Sequence, residues 1–102
     1  TLLKAADKTY GRGEYTVIVT ADHGGHGRDH GSADPQDMLI PWITWGEGVE
    51  PAGRVENVRT TDTAATALWL LGLRQPEQWT ATAVAGAYTP EARNASAAAT
   101  LQ

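Results

Sequence analysis

Apolar positions along this 102-residue chain follow three different rhythms. In the opening TLLKAADKTYG, residues Leu2, Leu3, Ala5, Ala6 and Tyr10 recur at helical spacing, which predicts the last turns of an amphipathic helix ended by Gly11. YTVIVTA, residues 15 to 21, is instead an unbroken β-branched run flanked by glycines, the pattern of a strand covered on both faces as in parallel α/β sheets. MLIPWITWG, residues 38 to 46, predicts a second strand, and Pro41 assigns it to an edge or a bulge because proline cannot donate to a ladder. A turn-rich GEGVEPAG leads to VENVRTTDTAATALWLLGL, where a helix of roughly three turns is expected. Thr61 or Asp62 would cap it, Ala64, Ala67, Leu68 and Leu71 would form its apolar face, and Gly72 would stop it. After a loop opened by Pro76, residues 89 to 102 are rich in alanine but carry no apolar stripe, so this tail is expected to fray or stay disordered. The alternation of helix and strand patterns makes the fold class α/β.

Between the two predicted strands lies DHGGHGRDHGSADPQD, residues 22 to 37, too polar and glycine-rich for a regular element. It is longer than the ~12–15 residues beyond which unstructured loops become uncommon without a functional reason. All three histidines of the chain fall in it, together with Asp22, Asp29, Asp34 and Asp37. Asp22 and His23 directly follow the β-branched run, and ligands of open α/β sheets collect at that carboxyl edge. Imidazole and carboxylate suit Zn²⁺ and related divalent ions, and the glycines permit the sharp backbone path such a loop needs. The competing reading is a solvated loop whose aspartates and histidines cap turns; concentration of every histidine in one loop favours the metal. His26, set between glycines, suits an exposed turn, and Arg28 reads as a surface residue. GGHGRDHG is not a nucleotide-cradling motif: it is neither GxGxxG nor followed by Lys and Ser/Thr.

Composition narrows the partners. The net charge is −4 with no cluster of Lys or Arg, which argues against a nucleic-acid-binding surface. There is no cysteine, so disulfides and thiolate metal sites are excluded and any metal takes oxygen and nitrogen ligands. No apolar run approaches the ~20 residues of a membrane span. The absence of an initiator Met, with a start inside a helical pattern, is read as a segment of a longer polypeptide.

The order TADHGG, GRDHG, IPWITWGEGV and TTDTAATALWLLGL, with Pro76 and Trp79 following, resembles the C-terminal part of the alkaline phosphatase superfamily. Its type I phosphodiesterase/nucleotide pyrophosphatase-like and sulfatase-like branches are the most similar, over residues 2 to 88. The resemblance implies a C-terminal fragment of a mixed sheet flanked by helices, with 1–88 belonging to the catalytic domain and 89–102 forming the tail. It also implies a metal-dependent phosphoester hydrolase acting at two divalent ions, commonly Zn²⁺, with Mn²⁺ as the alternative. Carried over by position, Asp22 and His23 bind the metal that activates the nucleophile, and His30 binds the second, with His26 and Asp29 as bystanders. The nucleophile and the other ligands lie upstream in the family, so no catalytic nucleophile is expected in this chain and the rest of the catalytic domain is required for turnover. A phosphate ester, or a sulfate ester, is the implied substrate, and a periplasmic or secreted setting fits the family. Asp62 and Thr66 recur in the family helix, where a capping role is favoured over chemistry. Two other readings remain open: a sulfatase or phosphomutase of the same superfamily, and a non-catalytic metal-binding or structural module.

Overall fold

A computed structural model describes residues 1–51 and 53–100. Positions 101 and 102 of the expected tail, and position 52 of the turn-rich connection, lie outside them. The chain runs through α1 (Leu2–Tyr10), β1 (Thr16–Thr20), α2 (Pro35–Met38), β2 (Trp42–Gly46), α3 (Asp62–Leu70), a 3₁₀ turn at Ala85–Ala87, and α4 (Pro90–Thr100). This is a small mix of helices with a two-stranded sheet, as the α/β reading requires at its coarsest level.

β1 and β2 pair antiparallel, with Val17 opposite Trp45, Ile18 opposite Thr44 and Val19 opposite Ile43. Strand side chains alternate between faces, so Ile18, Thr44, Trp42 and Thr20 share one face and Val17, Val19, Ile43 and Trp45 the other. The first face turns to the helices: Trp42 Nε1 donates to Thr63 Oγ1 at 3.1 Å, and Thr44 Oγ1 lies 2.8 Å from the hydroxyl of Tyr88. On the second, Val19, Ile43 and Trp45 are each at least half exposed. The expectation of a parallel strand buried on both faces is therefore corrected. β-branched residues do form the strand, but this chain supplies a covering layer on one side only. The second strand is also shorter than the run 38–46 suggested. Met38 ends α2, because Asp34 caps that turn by accepting from Gln36 N at 2.8 Å and Pro35 takes the first helical position, where no N–H is needed.

The largest buried side chain is that of Tyr88, which is fully enclosed, and Ala65, Ala81 and Ala87 are the other buried apolar residues among those described. The Tyr88 ring meets Trp69 at 5.3 Å. Burial raises the Tyr88 phenol above its ordinary value, partly offset by the Thr44 hydrogen bond. α3 turns inward along Asp62, Ala65 and Thr66, with Trp69 partly covered. This corrects the predicted face, since Ala64, Ala67 and Leu71 are exposed. The reason lies in polar partners that periodicity of apolar residues does not register. Asp62 Oδ2 accepts from Arg59 N at 2.9 Å and Oδ1 from Thr82 N at 3.0 Å. Thr66 Oγ1 donates to Asp62 O at 2.7 Å and accepts from Val84 N at 2.9 Å. The helix ends as expected at Gly72, where Gly72 N bonds Trp69 O and Leu73 N bonds Leu68 O, the paired bonds of a Schellman motif. Residues 90–100, expected to fray, form α4, which packs on α3 and buries Ser96.

The chain leaves much surface uncovered. It exposes 7663 Å², whereas a folded monomer of its 10.8 kDa mass exposes about 5,500 Å². Its radius of gyration is 15.4 Å, against about 12.8 Å for a compact domain of this length. No helix among the described residues is long and apolar enough to cross a membrane.

Candidate metal-binding loop

Residues 22–37 leave the carboxyl end of β1 and return through α2, and backbone bonds close the base of the loop. Gly24 N donates to Asp37 O at 2.8 Å and Gly25 N to Gln36 O at 2.7 Å. The two chain segments run so close that a Cβ on Gly24 would stand 2.1 Å from Gln36 O and 2.8 Å from Leu39 O. Only glycine fits there. The far end reverses in a two-residue turn, in which His26 and Asp29 exchange backbone bonds of 3.0 and 2.9 Å around Gly27 and Arg28. Gly27 has φ +57° at the first central position, a geometry that costs glycine little.

The seven candidate ligands divide into two groups. Asp34, Asp37, Asp29 and His26 serve the loop itself. Asp34 caps α2, and Asp29 Oδ1 accepts from His30 N at 2.9 Å. Asp37 is buried and accepts from Ser32 N at 2.9 Å, from Ser32 Oγ at 2.6 Å and from His26 Nδ1 at 2.6 Å. Bonds from Ser32, then from His26, hold its carboxyl below the usual range despite burial, with the nearby His30 adding to the effect.

Asp22, His23 and His30 remain at the surface, close to one another. The rings of His23 and His30 stack with centroids 4.1 Å apart and planes within 6° of parallel. His23 Nδ1 lies 2.5 Å from Gly24 O, a carbonyl that can only accept, so that nitrogen carries a hydrogen and Nε2 is the position at which the neutral ring would bind a metal. This is the arrangement in which a metal-binding histidine has its tautomer set by a backbone carbonyl. Nε2 stands 3.7 Å from Asp22 Oδ1. Two ligands on one tetrahedral ion, each at about 2.0–2.1 Å, are separated by about 3.4 Å, so this pair fits one ion with a small adjustment. Among the described residues no group of three or more histidines and carboxylates converges on a single point able to hold an ion. Asp22 and His23 could together take one ion whose remaining ligands come from elsewhere, and His30 offers one further imidazole stacked on His23.

Two features escaped the sequence reading. Ser32 carries no chemical motif, yet it satisfies one oxygen of Asp37; no local signal marks it. The start of α2 was legible in Asp34-Pro35, a capping residue followed by proline at the first helical position. No family model matches the chain, and no curated protein or solved structure shows significant similarity to it.

Proposed function

We propose that this chain is the C-terminal segment of the catalytic domain of a metal-dependent phosphoester hydrolase of the alkaline phosphatase superfamily. The observation that carries the reading is the setting of His23: its Nδ1–H is bound to Gly24 O, and its Nε2 stands beside Asp22 at the carboxyl end of β1. Asp22 and His23 would hold one divalent ion, and His30, stacked on His23, the other. Two such ions, when bound, stabilise the attacking and leaving oxygens of an in-line displacement at phosphorus. The chain's own contributions are to orient the imidazole through Gly24 O, to offset metal charge through the Asp22 carboxylate, and to set the spacing of the two imidazoles by stacking. The nucleophile and the remaining ligands come from the rest of the domain. The open face of the sheet and the excess exposed area support a chain that packs against further structure.

Titration of the chain with Zn²⁺, followed by NMR at the imidazole resonances, tests the assigned ligands. Weak binding that perturbs His23 and His30 together is expected. Tight, stoichiometric binding by the chain alone would favour a self-contained metal module instead. In the complete domain, His23→Ala is expected to abolish zinc occupancy and ester hydrolysis; full activity in that variant would sink the assignment.

A further inference from the structure

The loop contains one buried titratable group that this metal chemistry does not use. Asp37 is 3% exposed, and its two carboxylate oxygens have separate duties. Oδ2 takes both Ser32 donors, at 2.9 Å from N and 2.6 Å from Oγ. Oδ1 is left for His26 Nδ1 at 2.6 Å. The Asp37 side chain is fully enclosed while that of His26 is 44% exposed, so the ring emerges from the loop with its Nδ1 end anchored inside. An ionised carboxylate can only accept, so Nδ1 carries the hydrogen and the reactive position of the ring is Nε2. Asp37 is also joined through its backbone carbonyl to Gly24, the neighbour of His23. The bond that satisfies the buried Oδ1 also fixes the tautomer and orientation of a half-exposed imidazole.

We propose that His26 and Asp37 form an oriented proton-transfer dyad in the same loop as the His23/His30 pair, with Asp37 the positioning residue and His26 Nε2 the group that protonates the oxygen leaving a phosphoester. The assignment rests on the hydrolase reading for its substrate. The hydroxyl oxygen of the nucleophile supplied by the rest of the domain forms the new bond to phosphorus and releases its proton to solvent, and the ester P–O bond breaks with its electron pair on the leaving oxygen. The Nε2 proton of the His26 imidazolium passes to that oxygen. The neutral imidazole keeps its Nδ1–H on Asp37 and regains an Nε2 proton from solvent.

The geometric part is tested on the metal-free chain by long-range proton–nitrogen NMR, which reads the tautomer of each neutral imidazole. His26 is expected as the Nδ1–H form, reverting in Asp37→Ala to the Nε2–H form that an unassisted imidazole favours. Wild-type His26 found as Nε2–H overturns the dyad, whether or not the variant folds. The chemical part is tested in the complete domain. His26→Gln should retain zinc and lower kcat by about 10²-fold on alkyl phosphoesters, with little loss on p-nitrophenyl esters, whose leaving group needs no proton. Equal loss on both substrates, or loss on neither, overturns the proton-donor role. The two readings fail separately: a wild-type domain without zinc-dependent turnover removes the hydrolase reading and the leaving-group role with it, whereas the tautomer is measured without metal or substrate.

Discussion

Replacing Gly24 by alanine probes the closure of the loop at its tightest point. The new Cβ would lie 2.1 Å from Gln36 O, 2.8 Å from Leu39 O and 3.1 Å from Asp37 C, and all three are backbone atoms that no rotamer change can move. Gln36 O would have to recede by about 1.3 Å to reach the 3.4 Å at which ordinary contact begins. That shift breaks the bonds from Gly24 N to Asp37 O at 2.8 Å and from Gly25 N to Gln36 O at 2.7 Å. Two lost hydrogen bonds cost about 1 kcal/mol each, and forced overpacking about 1–3 kcal/mol more, so about 3–5 kcal/mol is expected in all. For a chain of this size each kcal/mol lowers Tm by about 4–8 °C. Urea unfolding followed by circular dichroism measures the global loss. Amide exchange at Gly25 distinguishes a loop that detaches from one that shifts, since detachment exposes this amide even if global unfolding changes less. An alanine variant within about 0.5 kcal/mol of wild type, with the Gly25 amide still protected, would refute the close approach and with it the placement of Asp37 under His26.

Further outcomes follow from other parts of the structure. Asp62→Ala removes the acceptor of Arg59 N and Thr82 N and should destabilise the chain by about 3 kcal/mol, read by thermal unfolding; a loss near zero would mean those loops are held elsewhere. For Asp62, burial alone would raise the carboxyl, but bonds from Thr82 N and Arg59 N and the Arg59 charge outweigh it, and its folded value lies below the ordinary 3.8. Asp37 is lowered likewise, chiefly by Ser32 and His26. A depressed carboxylate contributes stability that is complete above its unfolded value and is lost as pH falls through the folded one. Stability should therefore drop as pH falls below 3.8, and the drop should be shallower in Asp62→Asn when urea midpoints are compared across pH. Tyr88→Ala removes the largest buried side chain and should cost about 3–5 kcal/mol; Tyr88→Phe, which loses only the Thr44 bond, should cost about 1 kcal/mol.

The sequence by itself determined those features that depend on local backbone preference. β-branched residues make Thr16–Thr20 a strand, the spacing of Leu2, Leu3 and Tyr10 makes the first helix end at Gly11, and Gly72 stops α3. It also placed every imidazole in one loop after a strand, which was enough to single out residues 22–37. Tertiary structure decided which of those side chains are free. Asp22 and Asp37 bracket the same loop and are chemically identical, yet one is exposed and the other enclosed beneath Ser32 and His26. The inward face of α3 was likewise chosen by Thr82 N and Val84 N, donors 20 and 18 residues away from the acceptors Asp62 and Thr66. Periodicity reports how a segment coils and how apolar its faces are. The partner of a carboxylate or hydroxyl is set by what folding brings beside it, and a buried polar group is stable only where that partner is present.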